Sequence, residues 1–519
     1  MESIRSSGIL LHPTSLPSPD GIGDLGPDAF RWLDFLKASG CQMWQILPLG
    51  PTGYGDSPYQ CFSAFAGNPY LISSTFLLDE NLLSPQDLID RPEFPSDHID
   101  YGPVIQWKIK VLERSYQRFL RSKCKKLRAE MTLFVEQNNY WLEDYALFMA
   151  IKQHEGNASW EHWPSNLRQR KQYSLKEFSD AHISSINEHK YRQFLFFRQW
   201  EKVKKYASSL NIKIIGDIPI FIAYDSADAW SNPELFYLDK SGKPSVVAGV
   251  PPDYFSKTGQ LWGNPLYRWD FHKETGYAWW LKRINSVLNM VDIIRLDHFR
   301  GFEAYWEIPY GNPTAEIGRW VKGPGKDFFT TVKANLGDLP IIAEDLGLIT
   351  ADVVSIRDGF KLPGMKILQF AFSDDPDDAF LPHNYPVNCF AYTGSHDNDT
   401  TLGWYSKASD KEKDFCRRYL SVSGDDISWS LMRSIWQSVS SYVLAPMQDL
   451  LSLGTEARMN MPGSPSGNWT WRMPVSALSE SLQTRLYELN YLYGRLPVDE
   501  KLRLRKKVET EQSKVVKPH

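Results

Sequence analysis

Charged side chains close several short apolar runs of this 519-residue chain. The runs are IKIIGD, MVDIIRLD, LPIIAED and NCFAYTGSHD, and their charged residues are Asp217, Arg295, Asp297, Glu344, His396 and Asp397. Such runs are typical of buried parallel strands, whose carboxyl ends gather on one face of a barrel. Each charge alone is better explained by a structural ion pair or a helix cap. Their recurrence at the same end of separate predicted strands favours an active site.

Two of these carboxylates have the environments of a catalytic pair. Arg295 and Asp297 are two residues apart, so on a strand they point the same way, and the cation would keep Asp297 ionised as a nucleophile requires. Glu344 follows the apolar residues 341–343. Apolar surroundings raise the pKa of a carboxyl group and suit a general acid. Enzymes that cleave glycosidic bonds use two such carboxyl groups, one ionised and one protonated.

The elements that would position these residues alternate between helix and strand. Apolar spacing predicts a helix over 27–40, followed by a buried strand over 43–49. Further strands are predicted at 212–217, 290–297, 339–345, 365–370 and 388–397. This order predicts an α/β fold, a (β/α)8 TIM barrel with large, partly helical insertions between its strands.

A barrel needs only about 250 residues, so the rest of the chain must lie in insertions. We interpret 1–519 as a single catalytic barrel, interrupted by a mainly helical insertion subdomain at 81–211 and a loop-rich insertion at 225–289. The charged C-terminal tail, 499–519, is better explained as a solvated helix with a frayed end than as a nucleic-acid arm.

Composition argues against several other classes of protein. The 58 basic and 62 acidic residues give a net charge of −4, which predicts no affinity for nucleic acid or an anionic membrane. We find no secretory signal, and no apolar run of about 18 residues that would predict a membrane span. Five scattered cysteines indicate reduced thiols and a cytoplasmic protein.

Motifs for other chemistries are missing from the sequence. It contains no HExxH, no GxSxG and no Gly-Lys-Ser/Thr. His298 is better explained as a hydrogen-bonding histidine at a strand end than as a metal ligand. We expect neither a metal nor a cofactor.

Four motifs carry a family resemblance: IGDIPIF (215–221), DIIRLDHFRG (292–301), AEDLG (343–347) and TGSHDNDTTLGW (393–404). They resemble the signature strands of the α-amylase-related glucanotransferases. The similarity is greater to the amylomaltases, also called disproportionating enzymes or 4-α-glucanotransferases, of glycoside hydrolase family 77. Three more stretches are similar to that family: 47–72, 249–267 and 458–472. Ser395 stands where a threonine is common, a change that should be tolerated.

The resemblance implies a role for each matching position. Asp297 would be the nucleophile, Glu344 the acid/base, and Asp397 the group that grips the sugar hydroxyls at the cleaved residue. Arg295 and His396 would flank the site, and Asp217 would stabilise it. The resemblance makes 249–267 a flap over the glucan groove, with Tyr254, Phe255, Gln260, Trp262 and Asn264. It places Tyr54, Ser57, Tyr59, Asn460 and Asn468 along the groove.

Simpler interpretations of these outer residues remain open. The segment 249–267 could be a plain surface loop whose aromatic residues pack inward. The stretch around Tyr54 could be a tight turn, and Asn460 and Asn468 could be turn residues that cap a strand.

The implied reaction transfers a segment of an α-1,4-glucan donor to the 4-hydroxyl of an acceptor glucose or maltooligosaccharide. It would be a retaining double displacement through a covalent glucosyl-enzyme. The alternatives are an α-1,4-glucan hydrolase that uses the same carboxylates and, in another class, a non-catalytic glucan-binding protein.

Overall fold

The computed structural model describes residues 5–252, 256–464, 466–504 and 506. Eight parallel strands form one sheet in the order β10-β11-β12-β1-β2-β3-β6-β9, and four antiparallel strands form a second in the order β5-β4-β7-β8. The strands are β1 Ser6–Leu10, β2 Met43–Gln45, β3 Lys213–Pro219, β4 Val246–Val250, β5 Gln260–Pro265, β6 Ile293–Asp297, β7 Ala304–Pro309, β8 Arg319–Lys322, β9 Ile341–Ala343, β10 Gly364–Ile367, β11 Cys389–Tyr392 and β12 Tyr442–Pro446.

The eight-stranded sheet closes on itself at the seam between β9 and β10. The backbone N–H of Ala343 donates to the Pro363 carbonyl oxygen at 2.9 Å. The Asp345 carboxylate then accepts the N–H of Met365 at 2.7 Å and pairs with Arg357 at 2.5 Å. The predicted barrel is therefore confirmed, and a side chain takes the place of strand pairing at the seam.

One apolar cluster fills the barrel, with members from seven of the eight strands. They are Met43, Ile215, Ile293, Ile342, Met365, Ile367, Phe390, Tyr392 and Leu444. Side chains of this size make the barrel interior a packed core, so that a site can form only at its rim.

Helices surround the barrel and fill the insertions. Helix α1 confirms the helix predicted after residue 26, and its buried face includes Trp32 and Leu36. In the described residues no helix is both long and apolar enough to cross a membrane. The helices are α1 Pro27–Ala38, α2 Ser74–Asp79, α3 Tyr101–Arg121, α4 Lys125–His154, α5 Ser165–Arg168, α6 Gln172–Ala181, α7 Ile183–Ser209, α8 Ala227–Ser231, α9 Trp269–Glu274, α10 Ala278–Met290, α11 Gly325–Leu336, α12 Ala351–Gly359, α13 Thr401–Lys407, α14 Asp410–Leu420, α15 Ile427–Gln437, α16 Met447–Leu450 and α17 Glu480–Leu492.

Helices α3 to α7 lie within the predicted helical insertion, 81–211. The longest two, α4 and α7, pack through aromatic rings such as Phe134 against Phe197, whose centroids are 5.5 Å apart. The indole N–H of Trp200 donates to the Met290 carbonyl oxygen at 3.0 Å, which anchors α7 to α10 of the barrel.

The segment 249–267 differs from the predicted loop. Its two ends, β4 and β5, pair as antiparallel strands, and β4 also pairs with β7. The segment was predicted as a loop because glycine and proline are typical of loops. Gly249 has a packing reason: a Cβ there would lie 2.3 Å from the Gln260 carbonyl oxygen.

Strand bounds also differ from the prediction at several places. Strands β1 and β12, five residues each, were not predicted, and Met290 ends helix α10 instead of opening a strand. In the predicted charged tail, residues 499–504 are helical, and residues 505 and 507–519 lie outside the described residues.

Candidate active site

A buried arginine joins two carboxylates near the carboxyl ends of β3 and β6; Asp217, the predicted end of its strand, lies two residues before the end of β3. The strand register sets Asp217 beside Arg295 and Pro219 beside Asp297. Arg295 Nη1 lies 2.6 Å from Asp217 Oδ2 and 2.9 Å from Asp297 Oδ1. Asp217 is fully buried, whereas the Asp297 side chain is 27% exposed. The carboxylate predicted to be the nucleophile is thus the one that faces the open rim.

Burial and the arginine act on Asp217 in opposite directions. Burial raises the pKa of Asp217 to about 7, although the charge of Arg295 opposes the rise. The Tyr59 hydroxyl donates to Asp217 Oδ2 at 2.8 Å. Asp217 therefore serves to fix Arg295 and Tyr59 beside Asp297.

Two backbone N–H groups hold the Glu344 carboxyl group. Glu344 follows β9, and its Oε1 accepts the N–H of Leu346 at 2.9 Å. Its Oε2 accepts the N–H of His298 at 2.8 Å. His298 comes directly after Asp297 and has a left-handed backbone, with φ of 50°. His298, a residue with a strained backbone, therefore links Glu344, the acid/base candidate, to Asp297, the nucleophile candidate.

The environment of Glu344 is that of a proton donor. Burial raises its pKa to about 8, with Arg295 opposing the rise and the negative charge of Asp297 adding to it. A carboxyl group with this pKa is protonated at neutral pH. This is the behaviour predicted from the apolar residues that precede it.

Asp397 lies on the loop that follows β11 and is held from the C-terminal part of the chain. Asn460 Nδ2 donates to Asp397 Oδ1 at 2.6 Å, and Arg458 Nη2 donates to the Asp397 carbonyl oxygen at 2.6 Å. His396 Nε2 lies 3.3 Å from the same Oδ1. Burial lowers the pKa of His396, which keeps its ring neutral at neutral pH.

An aromatic wall joins the two sides of this rim. The ring of Tyr59 stacks on His396 with centroids 5.1 Å apart and planes 14° apart, and Trp469 lies 5.9 Å from Tyr59. The Tyr101 hydroxyl, at the start of α3, donates to the Trp469 carbonyl oxygen at 2.9 Å. The helical insertion thereby supports the buried rings that pack behind Tyr59, the partly exposed member of this group.

Comparisons with known proteins show the family of this chain. The family described as 4-alpha-glucanotransferase matches residues 11–478. The chain belongs to this glycoside hydrolase family. The 4-alpha-glucanotransferase of Thermus thermophilus is 51% identical over 94% of this chain and 98% of its own length. That of Synechocystis sp. is 49% identical over 95% of this chain and 98% of its own length.

A solved structure is similar over nearly the whole chain. The amylomaltase from Streptococcus agalactiae, in complex with acarbose, has 40% identity and a TM-score of 0.92, covering 95% of this chain and all of that one. The family resemblance found in the sequence is therefore confirmed.

The antiparallel sheet of this 4-alpha-glucanotransferase family member brings Trp262, one of the predicted flap residues, to His298, which is next to Asp297. The ring of Trp262, on β5, meets the ring of His298 edge-on with centroids 4.9 Å apart, and its N–H donates to Gln260 Oε1 at 3.2 Å. Asn264 donates to the Ile222 carbonyl oxygen at 2.7 Å, so its amide braces β5 against the barrel. Tyr254 and Phe255 lie outside the described residues.

Among the residues that the structure describes, three predicted groove residues make no contact with the carboxylates. Tyr54 is 77% exposed on a short turn. Ser57 accepts the N–H of Tyr59 at 3.2 Å, which fixes the turn that presents that ring. Asn468 Oδ1 accepts the N–H of Met461 at 2.9 Å, which favours the turn-residue interpretation for Asn468.

Sequence reasoning missed three residues that shape the site. They are His298 as a backbone donor, Arg458 and Trp469. The last two fall inside the matched stretch 458–472. Their types, a cation and an aromatic residue in a glycine-rich loop, were the available signal. Nothing in the spacing of His298 indicates its left-handed backbone.

Proposed function

We propose that this chain transfers segments of α-1,4-glucans to the 4-hydroxyl of an acceptor sugar by a retaining double displacement. Asp297 attacks the anomeric carbon of the donor, the glycosidic C–O bond breaks, and Glu344 gives its proton to the departing oxygen. The acceptor 4-hydroxyl then attacks the glucosyl ester, Glu344 takes its proton, and Asp297 leaves as a carboxylate. Retention requires these two carboxyl groups to lie about 5 Å apart.

The observation that carries the proposal is the pair of unlike environments around Asp297 and Glu344. Asp297 has a buried cation at 2.9 Å and an open side, as a nucleophile needs. Glu344 has a pKa raised to about 8, partly by the charge of Asp297. Ester formation removes that charge, so the pKa of Glu344 falls when the second step needs a base.

The remaining polar groups would bind the donor sugar at the cleaved position. Asp397, held by Asn460 and flanked by His396, would accept hydrogen bonds from sugar hydroxyls that strengthen in the transition state. The stack of Tyr59 on His396 would support one face of the ring. The partners are thus an α-1,4-glucan donor and a glucose or maltooligosaccharide acceptor, and the free thiols of all five cysteines fit a reducing cytoplasm.

Incubation of the purified protein with maltotriose tests the proposal. Transfer gives free glucose and a ladder of longer oligomers, with little gain in total reducing ends. Shorter products with rising reducing ends would show a hydrolase instead. No change with maltotriose, or with starch plus maltose, would support a non-catalytic glucan-binding protein.

Exclusion of water at the ester should depend on aromatic residues of the flap. We expect Trp262→Ala, Tyr254→Ala and Phe255→Ala each to raise the ratio of hydrolysis to transfer several-fold, because water then reaches the ester more easily. The ratio follows from reducing ends and oligomer yields in the same maltotriose reaction.

Two variants serve as controls for the flap. Trp262→Phe keeps an aromatic ring against His298, and Tyr173→Ala removes a ring that is 77% exposed on α6 of the insertion. Both should keep the wild-type ratio. An unchanged ratio in all three flap variants would contradict the role of the flap.

A further inference from the structure

The loop that carries His396 and Asp397 is fastened at both ends by one buried carboxylate. We call residues 393–401 the Asp397 loop. Thr393 Oγ1 donates to Asp449 Oδ2 at 2.5 Å at the start of this loop. At its end, the N–H of Thr401 donates to Asp449 Oδ1 at 2.7 Å and the Thr401 hydroxyl donates to Oδ2 at 2.7 Å. Asp449 therefore sets the separation of the loop ends.

The Asp449 carboxylate is buried and accepts hydrogen bonds at both oxygens. Asp449 is fully buried on α16, and its ligands here are threonine hydroxyls and an N–H. Burial raises its pKa. Burying a carboxylate costs free energy, which hydrogen bonds to the charged group offset, and such bonds are short and directional. The arrangement thus favours a fixed geometry at the two ends of the loop, Thr393 and Thr401, which we call its stem.

The same stretch of chain also holds the tip of the Asp397 loop. Beyond α16 the chain runs to Arg458, which donates to the Asp397 carbonyl oxygen at 2.6 Å. It continues to Asn460, whose side chain donates to Asp397 Oδ1 at 2.6 Å and whose N–H donates to the His396 carbonyl oxygen at 3.1 Å. Stem and tip are therefore held by one segment, 447–460.

We infer that Asp449 is a positioning residue that acts on the reaction through Asp397. The inference rests on the proposed function, in which Asp397 binds the sugar most strongly in the transition state. A shift of about 1 Å in such a group can reduce the rate about 100-fold. Asp449 thereby determines turnover without touching the substrate.

Substitutions at the stem should lower kcat and leave substrate binding nearly unchanged. We expect Asp449→Ala to lower kcat for maltotriose transfer about 10- to 100-fold and Asp449→Asn less, with KM within about threefold, because the lost interaction belongs to the transition state. Thr401→Val should lower kcat several-fold, whereas Thr401→Ser, which keeps the hydroxyl, should match the wild type. This pair tests the inference even where Asp449→Ala fails to fold.

A double-mutant cycle with Asp397→Asn separates positioning from general damage. If Asp449 acts through Asp397, then adding Asp449→Asn to Asp397→Asn should lower kcat less than twofold further. A full multiplicative loss, or wild-type kcat in both Asp449 variants and in Thr401→Val, would overturn the inference. Wild-type activity of Asp397→Asn alone would instead contradict the assigned role of Asp397 in the proposed function.

Discussion

Asp297→Ala should reduce the transfer activity about 10⁴-fold or more, the size of loss seen when a catalytic nucleophile is removed. The structure gives the reason: Asp297 is the carboxylate of the β3–β6 rim that is both paired with Arg295 at 2.9 Å and open to substrate. Initial rates of glucose release from maltotriose measure the loss.

A control residue lies at the opposite end of the same strand. Asp292 precedes β6, and its carboxylate accepts the N–H of Ile214 at 2.8 Å. Asp292→Ala should lower the free energy of unfolding by about 1 kcal/mol, because one hydrogen bond is lost, and should keep the activity.

Azide should restore turnover of Asp297→Ala when α-glucosyl fluoride is the donor, and the product should be β-glucosyl azide. Full activity of Asp297→Ala would refute the mechanism.

Glu344→Gln should reduce transfer from maltotriose about 10²- to 10⁴-fold, the usual contribution of a general acid–base catalyst. A glutamine keeps the hydrogen-bonding shape and loses the proton. The loss should depend on the leaving group, because fluoride departs without a proton. The first step with α-maltotriosyl fluoride should therefore stay close to the wild-type rate. Equal losses with maltotriose and the fluoride would contradict the assignment of Glu344.

The pH profile of the wild-type enzyme should report the same group. The acid form of Glu344 is needed for the first step, and its pKa is raised to about 8. The kcat/KM for maltotriose should hold through neutral pH and fall as the pH rises past about 8. Glu344→Gln should lack this alkaline limb. A limb near pH 4.5, the ordinary value for a glutamic acid, would contradict the raised pKa.

The strands that carry Asp217, Asp297 and Glu344 could be predicted because each is a short apolar run that ends in a charged residue. The apolar run that ends at Asp297 is short and is followed by charged residues, which favours a strand buried on both faces over a helix. The strand itself is Ile293–Asp297. The sequence indicates the two strands, and the structure shows that they are neighbours with Asp217 beside Arg295. Short local patterns in the sequence were therefore enough to predict the barrel strands and the two carboxylates Asp297 and Glu344.

Other parts of the site depend on contacts between distant parts of the chain. The four-stranded antiparallel sheet includes a pairing of β4 with β7, almost 60 residues later in the chain, so its strands cannot be recognised from the segment 249–267 alone. The hydrogen bond from His298 to Glu344 needs a left-handed residue, which no spacing indicates. The Asp449 contacts join residues about 50 positions apart through hydroxyl groups common anywhere in a sequence.

Trapping of the glucosyl-enzyme is the most direct test of the central claim, that Asp297 forms a covalent bond to the donor sugar. The Glu344→Gln variant, mixed with α-maltotriosyl fluoride, should form the ester and lack the base that hydrolyses or transfers it. Peptide mass mapping should then find the maltotriosyl group on the peptide that contains Asp297. An unlabelled protein after turnover, or a label on another carboxylate, would contradict the account.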